Sequence, residues 1–159
     1  MKKSNNCKFE KDLLDSSKAI DKLISESYEV FCECMNDNSL SFMGKKILYK
    51  TEKDLHSMKE LGYLHIASME NQIKIRTYDK NRMIYMPLIK RILEDCSKKT
   101  CPNIAIYKDN KDICIWCRKN KFLIVLCPRE NGYLLNTAYP VIYERKIYTI
   151  EKKANENGL

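Results

Sequence analysis

Residues 103–139 constrain the chain most, because four short β-prone segments there are punctuated by polar turns. The segments 103–107, 113–117, 121–127 and 133–139 are rich in Ile, Leu, Val, Tyr and Trp, and branched or aromatic side chains suit a pleated, half-buried surface. Between them lie Asp109-Asn110-Lys111-Asp112, Lys119-Asn120 and Asn131-Gly132. Asn-Gly is the strongest hairpin signal of the three, since a tight two-residue turn needs φ above zero at both central positions. Consecutive hairpins make an antiparallel meander, and a meander needs an apolar layer to cover its buried face.

The segments upstream read as helices and a further pair of short strands. Phe9, Leu13, Ala19, Ile20, Leu23, Ile24, Phe31 and Met35 recur mostly at three- and four-residue steps, which predicts an amphipathic helix or a broken pair of helices. Asn36-Asp37-Asn38-Ser39 closes it with turn residues. Residues 40–49 carry no decisive pattern. Thr51 is placed to cap a helix through Leu55, Met58 and Leu61, with Gly62 at its end. Residues 63–68 and 72–78 read as strands or an extended hairpin. Asp79 or Asn81 then caps a helix over 82–94 that Pro87 must kink or start. The charged tail 143–155, with apolar Ile147 and Ile150, reads as a last strand or helix. The expected architecture is α+β. Residues 1–62 form a helical extension, and residues 63–159 a basic domain on a twisted antiparallel sheet of four to five strands.

At 159 residues the chain suits one domain with an appendage and is too short for two full domains. Its net charge of +8 is unevenly placed: residues 1–60 hold 11 Lys and Arg against 11 Asp and Glu, residues 61–159 hold 18 against 10. The excess therefore belongs to the second part, where a positive surface would draw phosphates. A lysine-rich surface without a partner stays open as the plainer account. No apolar signal segment follows the first lysines, and the best apolar run, 122–127, is strand-sized, so a cytoplasmic protein with no membrane association is expected. The eight cysteines then read as reduced thiols. Zinc at Cys96, Cys101, Cys114 and Cys117 is the alternative. Against it, Cys114 and Cys117 sit in an apolar strand that would point them to opposite faces.

Several segments in order suggest a kinship. They are Tyr63-Leu64-His65-Ile66, then Ile75-Arg76-Thr77-Tyr78-Asp79-Lys80-Asn81-Arg82 entering a Pro-Leu-Ile-Lys helix, then two hairpins and a strand ending Thr137-Ala138-Tyr139-Pro140. Over roughly residues 63–155 this resembles the phage and mobile-element nucleases grouped with barnase, EndoU, colicin-type tRNases and RelE, the BECR fold. The resemblance implies metal-independent RNA cleavage with no cofactor, in which a ribose 2′-OH attacks the adjacent phosphate and leaves a cyclic phosphate. That chemistry needs a proton acceptor, a proton donor and cations for the phosphorane.

By the same resemblance His65, Arg82, Thr137 and Tyr139 are the catalytic candidates. Arg76 and Lys90, with Arg118 and Arg129 at hairpin ends, are the candidates for holding RNA, whether tRNA, mRNA or rRNA. Plainer roles stand beside these: a structural or solvent-facing His65, solvated arginines, and a Thr137–Tyr139 pair that shares a strand face only to pack. The strands of the later sheet carry no second histidine, so a catalytically inactive module that binds RNA or inhibits a protein is also open. The amino-terminal helix is expected first to pack on its neighbour, with a face for a protein or immunity partner as the alternative.

Overall fold

The computed structural model describes residues 9–36, 40–96 and 101–159. In chain order, a 3-10 turn at Glu10–Asp12 leads to α1 (Ile20–Asn36), β1 (Ser41–Phe42) and β2 (Lys45–Leu48). Next come α2 (Leu61–Ala67), β3 (Ser68–Glu70), β4 (Arg76–Tyr78), α3 (Lys80–Ile84), α4 (Pro87–Arg91) and a π-helical turn at Ile92–Cys96. The last part is β5 (Ile104–Asp109), β6 (Asp112–Cys117), β7 (Phe122–Arg129), β8 (Gly132–Pro140) and α5 (Glu144–Glu156). The fold is α+β.

The meander forms as β5 through β8, each strand antiparallel to the next. The sheet is nonetheless larger than expected, with six strands in the order β1-β2-β8-β7-β6-β5, and it is mixed because β2 lies parallel to β8. Both extra strands come from residues 40–49. Met43 and Gly44 turn between them with φ of 50° and 77°, and a methionine in that first position hides the turn from sequence reading. β2 can lie against β8 because residue 132 is glycine: a Cβ there would sit 2.2 Å from the Lys46 carbonyl oxygen. Residues 1–62, expected as a helical extension, therefore supply two strands as well as α1. Their Phe9, Leu23, Phe31, Phe42 and Ile47 share one core with Ile124, Leu135 and Ala138.

Other expectations changed. No helix forms around Leu55 and Met58, which are exposed. That loop is closed instead by bonds from Asp54 N to Lys59 O (2.9 Å) and from Leu61 N to Glu52 O (2.7 Å). Residues 61–67 are helical rather than extended, because burial follows the helical spacing Tyr63, Ile66, Ala67. Tyr63 anchors the turn from below: its hydroxyl lies 2.8 Å from Ser27 Oγ and donates to the Ile24 carbonyl of α1 at 3.1 Å. Helix 82–94 is broken at Tyr85-Met86 into α3, α4 and the π turn, since Pro87 offers no N–H to continue the ladder. Asp79 caps α3 as expected, accepting from Arg82 N at 3.0 Å. The tail is a helix, α5. The turn proposed at Asp37-Asn38-Ser39 lies outside the described residues.

The sheet has two covered faces. Under α1 to α4 lie Ile106, Ile115, Ile124 and Ala138, directly opposite one another across β5 to β8. On the other face α5 covers Trp116 and Leu123, with Tyr139 in line. Trp116 donates its indole N–H to Glu151 of α5 at 2.8 Å. Cys114 and Cys117 belong to these two different clusters, one on each face of the sheet. Among the described residues no group of three or more His, Cys, Asp and Glu side chains is placed to hold a metal ion. Among them, too, no helix is long and apolar enough to cross a membrane.

Candidate functional site

β8 outruns its parallel neighbour. β2 pairs only with Tyr133 and Leu134, so the remaining edge of β8 meets α2 and α3 instead of a strand. A bulge lies at the same point: Leu126 pairs with Leu135 while Val125 pairs with Thr137, leaving Asn136 as the extra residue. One inserted residue reverses the alternation of side chains. Leu135 and Ala138 both point into the helical core, whereas Thr137 and Tyr139 point to the α5 side. Two adjacent polar residues, Asn136-Thr137, inside an apolar strand were the sequence trace of this shift.

Around that edge five predicted side chains come together. Thr137 Oγ1 donates to the His65 carbonyl at 3.4 Å, and Arg82 approaches Thr137 Oγ1 and the Ser68 carbonyl, both at 3.5 Å. Arg76 donates to the same Ser68 carbonyl at 3.3 Å, to Ser68 Oγ at 3.2 Å and to His65 Nδ1 at 3.4 Å. The Arg82 guanidinium also lies 4.7 Å from the Tyr139 ring centroid. The chain of contacts runs His65, Thr137, Arg82, Ser68, Arg76 and back to His65. Local structure explains each placement. His65 is in the last turn of α2, whose start lies close to the Lys50 backbone; a Cβ on Gly62 would be 3.1 Å from Lys50 N and O. Arg76 comes from the β4 side of a ribbon in which Glu70 and Arg76 are partners. Arg82 is aimed by the Asp79 cap.

Asp79 acts on Arg82 and Glu70 on His65 through their charges, yet neither carboxylate closes an ion pair with the two arginines. Arg118 and Arg91 both pair with carboxylates, but neither Arg76 nor Arg82 forms an ion pair with a carboxylate among the described residues. Burial, aided by the charges of Arg76 and Lys50 and opposed by Glu70, holds the His65 imidazole below its ordinary pKa of 6.5. Burial likewise pulls the Arg82 guanidinium down from its usual value, though an arginine stays charged at neutral pH. Because arginine only donates, the contact to Nδ1 makes that nitrogen an acceptor and leaves the proton of the neutral ring on Nε2. Chemically, the arrangement offers guanidinium donors beside an imidazole that its surroundings bias toward the neutral form.

Two clefts flank this cluster. One, of about 230 Å³, is polar and is lined by His65, Ser68, Glu70, Arg76, Arg82, Asn136 and Thr137. The other, of about 370 Å³, lies across Arg82 and Thr137 and is walled by Asp79, Asn81, Tyr139, Ile142, Tyr143 and Lys146. A larger cleft of about 530 Å³ near Lys108, Lys111 and Arg129 holds no histidine and none of the converging residues.

The other three predicted residues lie elsewhere. Lys90 is on α4, 3.9 Å from Glu94 one turn on. Arg118 is held by Glu151 of α5 through Nε at 2.9 and 3.1 Å. Arg129 is at the hairpin end of β7, four residues beyond Val125, the partner of Thr137, hence about 13 Å away along the strand. Conversely, Ser68, Lys50 and Lys146 belong to the site and escaped sequence reading. A serine after a helix and a lysine in a loop or charged tail carry no periodic signal. Comparison with protein-family profiles, with curated proteins and with solved structures finds no match.

Proposed function

We propose that the chain is an endoribonuclease that cleaves RNA by 2′-OH attack, with the scissile phosphate on Arg76 and Arg82. The observation that carries this reading is a pair of guanidiniums, with no ion pair to a carboxylate among the described residues, meeting at one serine carbonyl beside a histidine whose pKa is lowered. Two like charges brought this close repel until an anion joins them, and a phosphate offers two oxygens to two forks. Binding draws Arg76 from His65 Nδ1, which frees that lone pair to take the 2′-OH proton. A base with a pKa below 6.5 is unprotonated, and so competent, at neutral pH. Arg82, over the Tyr139 ring and next to Thr137, would stabilise the charge that develops on the phosphorane. The resemblance to BECR nucleases and the positive second part of the chain point the same way, to a basic, cytoplasmic protein of a phage or mobile element acting on RNA.

The test is incubation of the purified full chain with total RNA in excess chelator, followed by analysis of the new ends. Cyclic phosphate ends are the expected result. Intact RNA, or 3′-hydroxyl ends, would end this reading. One observation favours a second: His65 is the one histidine in the cleft, so the donor for the leaving oxygen has no obvious owner. On that reading the protein holds RNA without cutting it, and affinity falls with salt while RNA stays whole.

A further inference from the structure

The cleft across Arg82 has its own chemistry. Its apolar wall includes Ile142 and Tyr143, 64% and 73% exposed, and Met69. None of the three belongs to either core cluster, so their placement is not explained by packing. Two polar groups face the same space. Asp79 uses Oδ1 to cap α3, which leaves Oδ2 as an acceptor, and the exposed Asn81 amide can both donate and accept. A flat heteroaromatic ring with a polar edge needs such a wall: apolar surface for its faces, and a few donors and acceptors for its rim. A ring suits it better than a second phosphate does, because much of the wall is the exposed apolar surface of Met69, Ile142 and Tyr143. The two clefts share Met69, Arg82 and Thr137, so an anion bound on one side of Arg82 leaves its attached nucleoside able to cross to the other.

We propose that this second cleft is a nucleobase subsite, in which Tyr143 and Ile142 hold the base of the nucleotide whose phosphate lies on Arg82, while Asp79 Oδ2 and the Asn81 amide contact its edge. The subsite rests on the phosphate reading of the first cleft, though not on cleavage. The experiment is calorimetric titration of the full chain with the four 2′-deoxynucleoside 3′,5′-bisphosphates, which cannot be cut by 2′-OH attack, and with the corresponding abasic sugar bisphosphate.

At least one nucleotide should bind about ten-fold tighter than the abasic compound, the contribution expected of one stacked base. Tyr143→Ala, and separately Ile142→Ala, should erase that difference and leave abasic affinity unchanged; both side chains are exposed, so neither variant threatens the fold. Arg82→Ala should weaken all five ligands. Equal binding of nucleotides and abasic compound by the unmodified chain would overturn the subsite, as would a Tyr143→Ala loss shared by the abasic compound. No binding of any bisphosphate would overturn the phosphate reading and the subsite with it. Base-dependent binding in a chain that leaves RNA intact would sustain the subsite and reject only cleavage.

Discussion

Replacing Arg82 by alanine separates a structural role from a functional one, because the contacts of its side chain are individually weak. Both hydrogen bonds, to Ser68 O and Thr137 Oγ1, are 3.5 Å long, beyond the ~2.7–3.2 Å range in which N–H···O bonds contribute well. The stacking on Tyr139 at 4.7 Å is worth about 0.5–2 kcal/mol. The bond that caps α3 uses the backbone N–H of Arg82 and survives the change. The expected loss of stability is therefore about 1 kcal/mol, a fall in Tm of roughly 2–4 °C for a chain of this size. Catalysis should suffer far more. Loss of one preorganised donor to the developing oxyanion lowers kcat by about 10²–10³, and Arg82→Lys should recover only part, since an ammonium lacks the planar fork. Thermal unfolding and single-turnover cleavage of a labelled RNA in chelator measure the two effects side by side. A variant that unfolds outright, or one that cleaves within about ten-fold of the parent, would show that Arg82 holds the fold or nothing rather than the phosphate.

His65→Gln should lower cleavage by about 10²–10⁴ and remove the acid limb of the pH–rate profile; in the parent, activity should persist through pH 6.5 and fall only at the lowered pKa of His65. Stability carries the same sign. The unfolded chain takes up the His65 proton first as pH drops, so stability present above pH 6.5 is lost as pH falls through the folded value, and the glutamine variant should lose less over that window in urea titrations. Gly132→Ala forces a Cβ against the Lys46 carbonyl and should destabilise by about 1–3 kcal/mol; an unchanged denaturation midpoint would mean that the β2–β8 pairing is dispensable. Asp79→Ala removes the α3 cap for about 1 kcal/mol, which Asp79→Asn should largely restore, as circular dichroism melts would register.

Some of this molecule was legible residue by residue. The meander follows from β-prone segments and the polar residues between them, although its last hairpin turns at Glu130-Asn131, with Gly132 already in β8 opposite Arg129 and Asn131 without the positive φ expected of it. The Asp79 cap and the break at Pro87 follow from side-chain chemistry and from a missing N–H, and both act within a few residues. His65, Arg76, Arg82, Thr137 and Tyr139 were each identifiable as candidates, yet nothing local separates Arg76 and Arg82 from Arg118 and Arg129. Only the folded chain leaves the first pair without an ion pair among the described residues and hands Arg118 to Glu151. Tertiary contacts also made α2 a helix, added β1 and β2 to the sheet, and set the Asn136 bulge that turns Thr137 and Tyr139 outward. The reason is one of magnitude. Secondary-structure preference differs by a few tenths of a kcal/mol per residue, whereas fully burying an apolar side chain contributes about 1.5–3 kcal/mol, so a distant partner such as α1 beneath Tyr63 overrules the local signal.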